Sequence, residues 1–156
     1  MNYEDAKECY ATWGIDTDRA IKQLSDISIS VHCWRGDDVV GFENKSGLSG
    51  GGIQATGNHP GRARNPEELR ADLEFSYSKI PGSHRLNLHA MYMDTDEKPD
   101  RDEIEYHHFE TWVDWATQIN IGLDVNQTFF AHNKADDNLI LHNPKVNIRK
   151  CWIKHV

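Results

Sequence analysis

The sequence lacks an excess of basic residues and a long apolar run, and each absence excludes a class of protein. Its 17 Lys and Arg residues stand against 25 Asp and Glu residues, so the chain has no general means of neutralising nucleic-acid phosphates. We therefore expect no nucleic-acid partner. No apolar stretch approaches the roughly 20 residues that span a bilayer, and the charged N-terminus MNYEDAKECY is not typical of a signal peptide. We expect no membrane association either.

Cysteine is also scarce, and its positions indicate a compartment. Cys9, Cys33 and Cys151 are odd in number, far apart and without C-x-x-C spacing. This pattern favours reduced thiols in the cytoplasm over a disulfide framework or a zinc site.

Short motifs for phosphate and metal chemistry are incomplete. Gly52 and Gly57 have the spacing of a phosphate-binding loop, but Asn58 stands where the motif requires lysine. His107 and His108 are adjacent, without the H-E-x-x-H spacing that places two histidines on one helix face. The sequence predicts a solvent-facing first helical turn there.

The feature that is present is an alternation of strand and helix patterns. A length of 156 residues fits one domain, with N-terminal helices in residues 1–25 and three strand–helix units in residues 26–156. The predicted strands are Ile27–Trp34, Arg85–Tyr92 and the first part of Ile119–Phe130, a stretch that begins as a strand. Three helices are predicted: one begins at Asn65-Pro66-Glu67-Glu68, one includes Phe109 to Ala116, and one begins at Asn143-Pro144. A glycine-rich loop at 35–64 and a solvated acidic loop, Asp94–Glu105, separate them. Such alternation predicts an α/β fold whose parallel sheet is covered on both faces.

Two histidines fall near the ends of the first two predicted strands. Ligands of parallel sheets bind at the carboxyl ends of the strands, so His32–Trp34, His89–Tyr92 and Asp124–Asn126 should converge. A buried histidine needs a partner, or its burial is costly. His32 and His89 are therefore either satisfied core residues or parts of a site, and the residues leave both readings open. Trp34 beside His32 suits a sugar, because aromatic faces cover C–H surfaces while imidazole nitrogens bind hydroxyls.

Several consecutive blocks of the sequence resemble the N-terminal part of the L-rhamnose isomerase family. They are SISVHCWRGDDVVGFE, GGIQATGNHPGRARNPEELRADLE, PGSHRLNLHAMY and WATQINIGLDVN. The resemblance implies that the chain forms part of a (β/α)8 barrel of the TIM type. The enzymes of this family interconvert L-rhamnose and L-rhamnulose in the cytoplasm and are usually homotetramers. The resemblance also implies divalent cations, typically manganese with a second metal.

The same resemblance implies roles for particular residues. His89 matches a catalytic histidine that contacts the substrate, and Trp34 matches an aromatic wall of the substrate site. Gly51, Gly52 and Ile53 lie in a loop that closes near that site. The family's metal ligands lie on later strands and have no counterpart here, so we expect no metal ligand in this chain.

Three strand–helix units are too few to close a barrel of roughly 250 residues. We therefore expect little activity from this chain alone. One alternative is a non-catalytic fragment, inactive alone or associated with longer isomerase chains. Another is a small sugar-binding module without chemistry.

Overall fold

The computed structural model describes residues 2–32, 41–43, 63–130, 132–135 and 139–156. Three parallel strands form one sheet in the order β1-β2-β3: β1 (Ile29–His32), β2 (His84–His89) and β3 (Gly122–Asn126). Val31 pairs with Leu86, and Leu88 pairs with Val125. The prediction of an α/β chain with three parallel strands is confirmed.

Five helices accompany the sheet in the described ranges. They are α1 (Tyr3–Ala11), α2 (Thr17–Ser25), α3 (Pro66–Tyr77), α4 (Glu110–Gln118) and α5 (Val146–His155), with short 3-10 turns at Ala90–Tyr92, Arg101–Glu103 and Tyr106–Phe109. Within the part of the chain that the structure describes, no helix is long and apolar enough to cross a membrane.

Helix α3 begins where the sequence predicts. The side chain of Asn65 accepts a hydrogen bond from the backbone N–H of Glu68 at 2.9 Å, and Pro66 occupies the first turn. An Asn cap followed by Pro satisfies one free N–H and fixes the entry angle of the helix. Helix α3 therefore begins at Pro66, between β1 and β2 along the chain.

Helices cover one face of the sheet in the described residues, and the other face is open at Arg85 and Asp124, so the expectation of two fully covered faces is wrong there. The core joins Leu86 and Leu88 of β2 to residues of both α3 and α4. Right-handed crossovers between strands in sequential order place the crossover helices α3 and α4 on the same side. The opposite face is polar, and Arg85 and Asp124 on it stay 40% and 39% exposed.

The N-terminal helices pack against each other through polar contacts. Lys7 of α1 forms an ion pair with Asp18 of α2, and the hydroxyl of Tyr3 donates to the same carboxylate at 2.5 Å. Neither helix contains a buried residue. Apolar side chains such as Ile21 and Leu24 are consequently exposed.

Candidate functional site

The structure brings His32 and His89 together at the carboxyl edge of the sheet. Each is the last residue of its strand, and strand pairing places both side chains on the polar face. Their ring centroids lie 6.0 Å apart. His32 is exposed, whereas His89 is only 3% exposed. A pair of imidazoles, one sheltered and one open, can hold two hydroxyl groups of one small polar molecule.

Aromatic rings surround the imidazole of His89, and the sequence analysis assigned no role to two of them, Phe130 and Phe42. Phe130 approaches the imidazole edge to face at 6.1 Å, and Tyr92 lies at the same distance. Phe42 packs edge to face against Tyr92 at 5.1 Å. Phe130 lies in a stretch that was predicted to begin as a strand, and Phe42 lies in the glycine-rich loop. Neither position carries a periodic signal that could have found it.

Gly41, Phe42 and Glu43, which belong to the predicted glycine-rich loop, lie beside the 3-10 turn that follows β2. The backbone N–H of Phe42 donates to the carbonyl of Met91 at 2.9 Å. Gly41 has a φ of +59°, and a Cβ at this position would overlap the backbone and side chain of Met91. Only glycine permits this approach. The loop therefore meets the chain two residues after His89.

The other predicted loop residues lie outside the described residues. These are Trp34, Gly51, Gly52 and Ile53, together with Cys33. Their places in the candidate site stay predictions.

A buried ion pair joins the segments that follow the three strands. Arg101 is 1% exposed, and its guanidinium binds both carboxylate oxygens of Glu43 at 2.5 and 2.7 Å. It also donates to the carbonyl of Thr128, just after β3. The prediction of a solvated loop from Asp94 to Glu105 is wrong at Arg101, since this side chain is completely enclosed.

On the polar face, β3 supplies a structural carboxylate. Arg85 binds Asp124 in a bidentate manner, with its Nε 2.9 Å from Oδ2 and its Nη2 2.7 Å from Oδ1, and Ser30 donates to Asp124 at 2.7 Å. These bonds, chiefly those from Arg85, lower the pKa of Asp124 to about 2. Because its oxygens are occupied and its basicity is low, Asp124 is poorly suited to act as a general base. Of the predicted polar strand ends, the two histidines are better placed for a ligand.

The described residues around His89 do not make a manganese site. Manganese prefers carboxylate and other oxygen ligands. Asp124 is engaged by Arg85, and within the described ranges one group has donors close enough to hold a cation: Glu97, His107 and His108. That group lines a separate cleft without His32 or His89.

The chemistry of this second group favours hydrogen bonding. His108 accepts the backbone N–H of Glu105 on Nδ1 at 2.9 Å, so a neutral ring carries its proton on Nε2. That nitrogen lies 3.3 Å from Glu97, and the contact is the largest cause of a lowered pKa at Glu97. A metal at Nε2 would require the opposite tautomer. The predicted solvent-facing turn holds for His107, which is exposed, and is wrong for His108, which is buried.

Comparison with known proteins extends over the whole chain. The family model described as L-rhamnose isomerase (RhaA) matches residues 1–156. L-rhamnose isomerase of Listeria innocua serovar 6a is 56% identical over 153 residues, and those of Rhodopirellula baltica and Salmonella gallinarum are 50% identical over the same length. Each alignment covers 98% of this chain and 36% of the relative. The chain thus spans little more than a third of the length of these curated relatives.

Proposed function

Because this chain belongs to the L-rhamnose isomerase family, we propose that it forms the N-terminal part of an enzyme that interconverts L-rhamnose and L-rhamnulose. The proposal includes the cytoplasmic location and the homotetramer that the family resemblance implies. It is carried by one observation: the rings of His32 and His89 lie 6.0 Å apart, beside aromatic rings, at the carboxyl edge of the sheet.

The arrangement of the sheet supports a barrel. In a TIM barrel the strands follow one another in sequence, the helices form an outer ring and the active site lies at the carboxyl ends. The order β1-β2-β3 and the common side of α3 and α4 agree with the first two features. The polar face would then point into the barrel. An open three-stranded sheet leaves edges that further strands would pair with.

The imidazole of His89 is suited to opening the sugar ring. Opening breaks the bond between C1 and the ring oxygen, removes the proton of the C1 hydroxyl and gives a proton to the ring oxygen. Imidazole accepts and donates protons near neutral pH, so one positioned ring can serve both transfers. His32 would hold a second hydroxyl, and Phe130 would cover a C–H face of the sugar. Trp34 and the loop with Gly51, Gly52 and Ile53 would complete the wall.

Divalent cations, manganese included, would polarise the sugar oxygens in the complete enzyme. On the family resemblance, we expect their ligands to lie on later strands.

The proposal is tested by adding L-rhamnose to the purified 156-residue chain and following the ring protons of its histidines by NMR. We expect the signals of His89 and His32 to shift, and the shift of His32 to be lost in His89→Gln. His84 is the matched control, because it lies at the amino end of the same strand. Unshifted His89 signals at saturating sugar, or equal loss of shift in His84→Gln, would contradict a sugar site at the carboxyl edge.

Activity is measured in the same preparation as L-rhamnulose formed from L-rhamnose with manganese present. We expect no conversion by the chain alone, because the ligand set is incomplete. Metal-dependent conversion, with host enzyme excluded, would show that this expectation is wrong.

One observation favours the alternative of a non-catalytic chain that associates with longer isomerase chains. Large apolar side chains are exposed on α2 and at the start of β1, among them Leu24, Ile27 and Ile29. Size-exclusion chromatography separates the cases. A compact, monodisperse monomer that ignores a longer isomerase would contradict the association.

A further inference from the structure

Thr128 has a backbone conformation that β-branched residues rarely adopt. Its φ is +57°, in the left-handed region, where the Cβ of an L-residue comes too close to the following carbonyl oxygen. The residue is completely buried. Such conformations persist only where neighbouring contacts impose them, and they cluster at functional sites.

The contacts that impose it come from three parts of the chain. The side chain of Asn126 accepts the backbone N–H of Thr128 at 2.9 Å. Arg101 donates to its carbonyl and is itself fixed by Glu43. His155 of α5 contacts two backbone carbonyls beside this network. Its Nδ1 lies 2.6 Å from the carbonyl oxygen of Arg101, and its Nε2 lies 2.5 Å from that of Gln127.

The hydroxyl of Thr128 leads from this network to the candidate site. Its Oγ1 accepts the backbone N–H of Ala90 at 3.1 Å and donates its proton to the carbonyl of Asn126 at 3.2 Å. Ala90 directly follows His89, and at Ala90 the strand gives way to a 3-10 turn. The hydroxyl thus replaces the strand partner that this N–H would otherwise need.

We infer that Thr128 is a positioning residue for His89. Its hydroxyl bonds the carbonyl of Asn126, while Arg101, paired with Glu43, holds its backbone carbonyl. The hydroxyl thereby sets the end of β2 and so holds the His89 ring beside His32. The inference deepens the proposed function, on which it rests for what the ring binds. The position of the His89 ring, by contrast, is argued from the contacts of Thr128 alone and does not depend on the proposed function.

Three substitutions of Thr128 distinguish the effect of its hydroxyl group from the effect of its backbone conformation. Thr128→Gly relieves the left-handed strain, because glycine adopts positive φ freely, but removes the hydroxyl. Thr128→Val keeps the branched shape without the hydroxyl, and Thr128→Ser keeps the hydroxyl. If Thr128→Val does not fold, the comparison of the glycine and serine variants decides whether the hydroxyl positions His89.

The first readout is hydrogen exchange of the Ala90 amide in the 156-residue chain. Losing one buried hydrogen bond of about 1.4 kcal/mol accelerates exchange roughly tenfold. We expect this in Thr128→Gly and Thr128→Val and not in Thr128→Ser. The second readout is the nuclear Overhauser effect between the rings of His32 and His89, which should weaken in the same two variants.

Trp115→Phe is the matched control for general loosening. It removes a hydrogen bond of 2.7 Å from the indole to Glu74, on helices α3 and α4. We expect it to leave the signal between the histidine rings intact.

Three results would overturn the inference. They are unchanged exchange and ring contact in Thr128→Gly and Thr128→Val, equal losses in Thr128→Ser, and equal losses in Trp115→Phe. A sugar-induced shift of His89 that disappears in Thr128→Gly supports both proposals. If the unsubstituted chain shows no such shift, the proposed function fails while exchange and ring contact still decide the role of Thr128.

Discussion

Replacing Arg101 by methionine tests how strongly the buried ion pair holds the loops together. The change removes two hydrogen bonds to Glu43 and one to Thr128, and it leaves the Glu43 carboxylate, which is 12% exposed, without its cation. Breaking a buried pair in this way costs about 3–5 kcal/mol. A domain has a total stability of only about 5–15 kcal/mol, so the loss should be large.

The assay is urea denaturation followed by tryptophan fluorescence, since Trp112 and Trp152 are completely buried. Adding Glu43→Leu to Arg101→Met should recover much of the lost free energy of unfolding, because the unpaired charge is then gone. Lys7→Met, which breaks the exposed pair with Asp18, should leave the urea midpoint nearly unchanged. A cost of less than about 1 kcal/mol for Arg101→Met, or a double variant no more stable than the single one, would refute the reasoning.

Two further predictions concern the polar face of the sheet. The pKa of Asp124 is lowered from 3.8 to about 2, so its pair with Arg85 stabilises the fold fully above the unfolded pKa and progressively less as the pH falls through the folded one. Between roughly pH 5 and pH 2 the urea midpoint should therefore fall further in the unsubstituted chain than in Asp124→Asn, and equal falls would contradict the pairing. At Gly122 an added Cβ would overlap the guanidinium of Arg85, which is the flexible end of a part-exposed side chain and can move aside, so Gly122→Ala should lower the urea midpoint only slightly. The decrease should shrink in an Arg85→Met background, and an equal decrease there would show that the clash is elsewhere.

Elements with strong local signals could be predicted from the sequence. The start of α3 needs only Asn65, Pro66 and the following acidic residues, because capping is decided within one helical turn. The parallel order of the strands follows from alternation alone, and with it the meeting of His32 and His89. Whether these histidines bind a sugar stays a prediction.

Boundaries that depend on distant residues could not be predicted. The strand was expected to run to Tyr92, but β2 ends at His89 because the N–H of Ala90 bonds to Thr128, 38 residues away. Helix α5 begins at Val146 and not at Asn143, whose side chain instead accepts the N–H of Lys145 at 2.9 Å. An apolar pattern carries no information on such pairs.

The burial of Arg101 illustrates the same limit. Its partner Glu43 lies 58 residues earlier, in a glycine-rich segment without periodicity. A charged residue within an acidic run is usually solvated, and nothing local distinguishes this one. The supporting residues of the candidate site are therefore the part that the sequence does not reveal.

The sequential order of the strands has a consequence for synthesis. Each strand pairs with the one made just before it, and each of the covering helices α3 and α4 lies between two successive strands along the chain. A chain that emerges from the ribosome N-terminus first meets its partners in the order in which they appear. The sheet can therefore assemble vectorially during translation, one strand–helix unit at a time.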